Sequence, residues 1–257
     1  MRVSLIFALL FVLSGFEFMV PLVRSKRTSW LKTIPNLVMT VLLILTNLLL
    51  SGIFSWVGWI VEKNNFGLFQ FAGQLPTVVM CIGGVMLLDF WAAWLPHFLL
   101  HQFPVLWRFH SVHHSDAMVD VTTAFRQHPV ETIWRFSFYL TGMILFGLPL
   151  YVLILYMVFS ATNAQLEHSN IRLPRYLDRA LQWFIVTPNM HKVHHSKYQL
   201  ETDSNYSNIF SIWDKMFGTF RRREDYSTVE YGLDYLDKTD FTLRDLLVKI
   251  PMKKPSK

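Results

Sequence analysis

Apolar residues fall in long runs along this chain, separated by short stretches rich in glycine, proline or basic side chains. The first run, residues 3–23, is long enough to cross a bilayer. Only Glu17 interrupts it, and a carboxylate there has to face protein or the headgroup boundary. Ser14 and Gly15 are small enough for a processing site, but the charged start is Arg2 alone and the run outlasts a secretory signal core, so a span is the reading. A second run covers residues 36–61 and a third residues 76–94, with a loop at 62–74 that carries two glycines. Residues 131–146 and 150–165 form two shorter runs around Gly147-Leu148-Pro149. At 1.5 Å per residue each is near the lower limit for crossing, so the pair predicts a helical hairpin that just spans or is re-entrant.

Arg24, Lys26, Arg27 and Lys32 occupy the first loop, and the positive-inside rule puts that loop in the cytoplasm. The second run then leads outward and the third returns, delivering His97 to the cytoplasmic face. Pro96 removes a backbone donor at the end of the third run. Pro104 is expected to stop the helix bearing His97 and His101 near Phe103 and to open another near Val105. A hairpin returns to its starting side, so His128 before it and His168 after it share a membrane face.

The pattern predicts an all-α membrane protein whose five apolar runs, the last two a short hairpin near the lower limit for crossing, give about four transmembrane helices, with a cytosolic helical cap lined with histidine. Residues 1–95 are read as N-terminal transmembrane helices, 96–195 as the catalytic region including the hairpin at 131–165, and 196–257 as a cytosolic tail. Composition agrees: 52% of residues are hydrophobic and 16% charged, too apolar for an ordinary soluble domain. Residues 174–186 predict a helix lying in the headgroup plane, with Leu177, Ala180, Leu181 and Phe184 opposite Arg175, Asp178, Arg179 and Gln182. Thr187 and Pro188 predict the cap and first turn of the next helix.

A net charge of +6 raises nucleic acid as a partner, but the lysines and arginines flank apolar runs and form no basic surface interleaved with aromatics. No nucleic-acid role is expected, and lipid headgroups are the acidic partner the pattern favours. The lone Cys81 excludes an intramolecular disulfide and cysteine-ligated iron–sulfur or zinc sites.

All ten histidines lie between residues 97 and 195. Residues three and four apart share a helix face, so His97 and His101 point together, as do His110, His113 and His114. His191, His194 and His195 repeat the second spacing, while His128 and His168 stand alone. Neutral imidazole is the commonest protein metal ligand, and eight to ten exceed the four of one tetrahedral zinc. Two metals with four or five histidines each fit the count. The His-Glu-x-x-His signature of zinc proteases is absent. A metal transporter would spread histidines through its spans, and a zinc-dependent membrane hydrolase is the other rival. The alkyl chains of membrane lipids offer no easily hydrolysed position, so attack on them calls for activated dioxygen. That favours redox-active iron over zinc.

The three histidine motifs resemble those of the fatty acid hydroxylase and sterol desaturase superfamily of membrane di-iron enzymes. The resemblance extends to Leu106-Trp107-Arg108-Phe109-His110, to the stretch from Thr122-Thr123-Ala124 through Arg126-Gln127-His128-Pro129, to Trp213-Asp214-Lys215 with Gly218-Thr219, and to Tyr231-Gly232-Leu233, a feature of bacterial members. It covers roughly residues 85–250. Phe98 stands where members often carry arginine, which leaves the ligand pattern intact. The resemblance implies a four-helix transmembrane bundle with a cytosolic cap, two iron ions, O2 as co-substrate, and hydroxylation or desaturation of a fatty acyl, sterol or related lipid. It also implies electrons from a separate reductase chain, a ferredoxin or b-type cytochrome being the simplest donor, since no dinucleotide fingerprint is present. A bacterial inner membrane is the expected location. All ten histidines are candidate ligands. Asp89, two helical turns before His97, and Asp116, Asp120, Glu131, Asn163 and Glu167 are candidates to orient them.

Overall fold

The computed structural model describes residues 2–23, 33–71, 73, 75–236 and 241–249. The basic loop at Arg24, Lys26, Arg27 and Lys32, on which the expected orientation rests, lies outside the described residues.

Helix α1 (Arg2–Met19) ends at the first loop, and α2 (Ile34–Asn64) opens with Pro35 in its first turn. Helix α2 closes on Asn65, whose left-handed backbone (φ 47°) returns its N–H to the Val61 carbonyl. One face of α2 is buried through Met39, Phe54, Val57 and Val61, whereas Leu45, Leu48, Leu49, Trp56 and Trp59 are exposed. An apolar outer face of that extent is what lipid tails require.

Helix α3 (Thr77–Gln102) continues past residue 94, where the third apolar run is expected to end. Phe90–Trp94 is a π turn in which the Leu95 N–H reaches the Phe90 carbonyl. Pro96 follows within the first turn of the segment Leu95–Gln102. The widened turn has already displaced the hydrogen-bond ladder, so the missing donor is absorbed and the helix carries His97 and His101 onward. Pro104 stops it as expected, and α4 (Pro104–His114) starts there.

Val121–Phe125 is a 3-10 turn capped by Asp120. Helix α5 (Pro129–Phe146) begins with proline at its first position and ends at Gly147 (φ 67°). Helix α6 (Leu150–His168) returns antiparallel. The turn between them seats against the α2–α3 loop so closely that a Cβ on Gly67 would stand 2.2 Å from the Gly147 nitrogen. Gly84 likewise brings α3 against α6, where an added Cβ would lie 2.6 Å from Val152 Cγ1. Small residues permitting such approach are how helices associate in lipid. Phe54, Val57, Leu88, Phe136, Met143, Leu153 and Tyr156, drawn from α2, α3, α5 and α6, form the core between the helices.

Among the described residues, three helical stretches are long and apolar enough to cross a membrane, residues 34–71, 77–102 and 150–168. Among the described residues no strand forms beyond isolated bridges. Helix α7 (Arg175–Leu181) is shorter than the amphipathic pattern predicts, and Asp178, expected on its wet side, is buried. The cause is local: Asp178 accepts hydrogen bonds from Thr187 Oγ1 (2.6 Å) and Gln182 Nε2 (2.9 Å). Tyr176, Trp183 and Phe184 stay exposed. Helix α8 (Pro188–His194) carries the expected cap, Thr187 accepting from the Met190 N–H. Beyond it the chain folds back as a packed segment containing α9 (Ile212–Met216), and Ser204, Asn205, Tyr206, Ser207 and Asp214 are buried.

Candidate metal centre

Nine of the ten histidines converge at one end of the helices. His97 and His101 from α3, His110 and His114 from α4 and His194 from α8 form one set, and His113, His168, His191 and His195 form a second. All nine are buried, and within each set one ring nitrogen per histidine lies within 4.8 Å of the others. The sets share α4: at the spacing of His113 and His114 adjacent residues diverge by a quarter turn, so one helix feeds both.

The spacing of ring nitrogens tests whether metal ions fit. Nε2 of His110 is 3.0 Å from Nε2 of His97 and 3.2 Å from Nε2 of His114. In the second set Nε2 of His168 lies 3.0 Å from Nε2 of both His113 and His191. Two nitrogens bound at about 2.1 Å to one ion stand about 3.0 Å apart at a right angle and about 3.4 Å apart at the tetrahedral angle. Uncharged imidazoles packed this densely with no ion would leave lone pairs opposed. Several of these nitrogens have no partner at all: His101 Nε2, His194 Nε2 and both nitrogens of His195 are buried and unsatisfied. The donor set fits two metal ions.

The remaining ring nitrogens are held from behind. His97 Nδ1 donates to the Tyr206 carbonyl (2.8 Å), His194 Nδ1 to the Ser204 carbonyl (2.7 Å) and His168 Nδ1 to the Ala164 carbonyl (2.6 Å). His101 Nδ1 donates to Asp203 Oδ1 (3.2 Å). Each bond fixes the tautomer that turns the Nε2 lone pair inward. His110 Nδ1 is 3.1 Å from Glu131 Oε1, within ion-pair range though outside hydrogen-bond alignment. Burial, followed by repulsion from neighbouring imidazoles, lowers the pKa of His110, His114 and His195 well below the usual range, and burial leads for His113, His191 and His194 too. They stay neutral, the form that binds metal.

His128 does not join either set. It is half-buried, caps α5 by accepting from the Val130 N–H (3.1 Å) and points Nε2 at the Leu247 carbonyl (3.3 Å). Its partner in the sequence argument, His168, does converge. Of the acidic candidates, Glu131 reaches a histidine, and Glu167 stands 3.8 Å from His168 and 3.9 Å from His191. Asn163 bonds Glu167 (3.3 Å) and the Asn208 carbonyl. Asp89 faces the other way, accepting from the Ile209 and Phe210 N–H groups and from Trp213 Nε1. Asp116 accepts from Asn36 Nδ2 and Thr123 Oγ1, and Asp120 from Thr122, so both brace the loop behind α4.

The sequence reading missed the supports supplied by residues 203–214. Asp214 gathers Trp94 Nε1, the Tyr206 and Ser207 N–H groups and Thr219 Oγ1 around one carboxylate. It also missed Lys192, buried in the third histidine motif, whose Nζ donates to the carbonyls of Val119 (2.9 Å) and His168. Burial lowers that ammonium to about 8. A cavity of about 510 Å³ opens beside the second set, reaching His113, His168 and His191 and extending between α2, α5 and α6.

Residues 81–219, more than half of the chain, match the family model described as fatty acid hydroxylase. The ornithine lipid hydroxylase OlsE of Rhizobium tropici is 29% identical over 160 residues, which is 62% of this chain and 47% of that protein. The alkylglycerol monooxygenase of Xenopus tropicalis is 32% identical over 173 residues, 67% of this chain and 36% of that protein. The very-long-chain aldehyde decarbonylase CER1 of Arabidopsis thaliana is 25% identical over 215 residues, 76% of this chain and 32% of that protein. The chain thus spans about a third to a half of the length of these curated relatives. No solved structure matches.

Proposed function

Because this chain belongs to the fatty acid hydroxylase family, we propose that it is an O2-dependent di-iron membrane oxygenase that hydroxylates or desaturates a lipid. The observation that carries this reading is the pair of buried histidine sets, five and four strong, standing side by side with ring nitrogens 3.0–3.2 Å apart. The relatives named as lipid hydroxylase and monooxygenase support the reaction class.

His97, His101, His110, His114 and His194 would hold one iron, and His113, His168, His191 and His195 the other. When bound, a pair of redox-active irons supplies activation of O2 and the power to take hydrogen from an unactivated C–H bond, which zinc lacks. The protein's part is positional. The carbonyls of Ser204, Tyr206 and Ala164 and the carboxylate of Asp203 keep the imidazoles turned inward. The cavity leads a lipid chain from between the helices to the second set, and the apolar walls there exclude water from the reacting carbon. Electrons come from a separate reductase chain through a ferredoxin or b-type cytochrome. The metal end faces the cytoplasm, as the basic residues at 24–32 favour, in a bacterial inner membrane.

The test is a comparison of lipid extracts, by mass spectrometry, from cells expressing this chain and cells expressing a variant with His113 and His191 replaced by alanine. The expected result is a lipid that gains one oxygen or loses two hydrogens in the first cells alone. Identical lipid profiles with a correctly inserted, metal-loaded protein would overturn the proposal.

A further inference from the structure

The cavity beside the second histidine set has two unlike ends. Helix α2 lines it from Thr40 to Phe54, a run of about 21 Å along the helix axis. The wall far from the histidines is apolar, made by Phe54, Leu150, Leu153 and Ile154. Two polar side chains on that stretch are turned back to their own helix: Asn47 Nδ2 donates to the Leu43 carbonyl and Ser51 Oγ to the Leu48 carbonyl. Apart from the Ser55 hydroxyl, this half offers an alkyl chain only apolar contact.

Arg135 stands at the histidine end. It projects from the second turn of α5 into the cavity, with its side chain 17% exposed. Nε donates to Glu131 Oε1 at 2.9 Å, and the same carboxylate oxygen is 3.1 Å from His110 Nδ1. The guanidinium is therefore one carboxylate away from a ligand of the first set. Among the described residues that Nε bond is its only hydrogen bond. A guanidinium carries five donors in a fixed fork and stays charged. The donors left over open onto the cavity, where an acceptor oxygen on a bound molecule would meet a charged donor shielded from bulk water.

We infer that Arg135 is a specificity-determining residue that binds an acceptor oxygen of the lipid substrate, so that oxidation falls near the polar end of the lipid rather than in the middle of its chain. The inference rests on the lipid-oxygenase reading above and adds to it the substrate's required feature: a carboxylate, phosphate, ester or ether oxygen within a few carbons of the one attacked. The alkyl tail then fills the apolar half between α2 and α6. Glu131 has two tasks in this arrangement. It holds Arg135 in place and offsets its charge, which keeps the cavity open to neutral as well as anionic acceptors.

Binding to the purified protein as isolated, in lipid nanodiscs with neither O2 nor reductant supplied, separates this inference from the chemistry. Hexadecanoate and 1-O-hexadecylglycerol, which carry acceptor oxygens, and hexadecane, which carries none, compete against a fluorescent fatty acid. Hydrogen bonds to a charged donor predict that the two oxygen-bearing probes bind about 10-fold tighter than hexadecane or more. Arg135→Gln is expected to erase that preference while leaving hexadecane unchanged, and Arg135→Lys to restore part of it. Should Arg135→Gln leave Glu131 unpaired and the protein unfolded, the double variant E131Q/R135Q removes both charges and carries the same expectation. Equal affinity for all three probes, or a preference that survives the loss of Arg135, overturns the inference. Iron content of the same variants is a separate readout: an intact pair of irons with no head preference would sink this inference alone, whereas loss of iron in unaltered protein would sink the oxygenase reading.

Discussion

At the scale of single residues, the convergence of the histidines was the most legible feature of the molecule. Imidazoles three and four apart on short helices can point only one way, and nine of the ten come together. His128 escapes the pattern because its place before Pro129 makes it a helix cap, a backbone role that spacing does not reveal. The groups that orient the ligands were mostly illegible, since Tyr206, Ser204 and Ala164 act through carbonyls that every residue possesses. The neutral state of the buried histidines has a consequence for acid stability. His110, His113, His114, His191, His194 and His195 resist protonation in the folded protein, while in the unfolded chain they titrate near 6.5. Below that pH the unfolded chain gains protons that the folded protein does not, so stability is full above about 6.5 and falls as pH drops, by up to about 1.4 kcal/mol per histidine for each pH unit. Thermal melts of metal-free protein between pH 7.5 and 5 are expected to show a steep fall in midpoint. A midpoint indifferent to pH across that window would mean the imidazoles are not buried together.

At the scale of elements, proline and glycine set boundaries that the sequence announces: Pro104, Gly147 and the Thr187-Pro188 cap fall where the pattern places them, while the helix expected from residue 131 starts two residues earlier, at Pro129. Pro96 does not break its helix, because the π turn at Phe90–Trp94 precedes it, and no hydropathy pattern encodes a five-residue widening of the ladder. The stretch after residue 196 reads as an aqueous tail from its acidic residues, yet two of those acids, Asp203 and Asp214, are its attachments to the centre. Asp89 makes the complementary attachment from α3, holding the 209–213 segment through three donors. Asp89→Asn is therefore expected to lower the thermal midpoint by several degrees, the loss of charge-assisted hydrogen bonds at a buried site being on the order of 2 kcal/mol. Protein that folds should still take up its metal, since Asp89 touches no histidine. An unchanged midpoint would refute this role.

At the scale of the whole molecule, the long apolar helices α2 and α3 and the packed hairpin of α5 and α6 hold one polar assembly at a single end, and a mostly apolar cavity runs from between the helices to it. Hydropathy and histidine spacing are independent properties of the chain, and both assign the same end of the bundle to the histidines. What they cannot encode is the division into five and four, which depends on how α4 is rotated between α3 and α8. That division is the central claim, and metal stoichiometry tests it most directly. Elemental analysis of the protein purified from iron-supplied cells is expected to give two irons per chain, and His191→Ala is expected to reduce the count to about one while the first set keeps its ion. A single ion per chain, a count unmoved by His191→Ala, or tightly held zinc in place of iron would contradict the account.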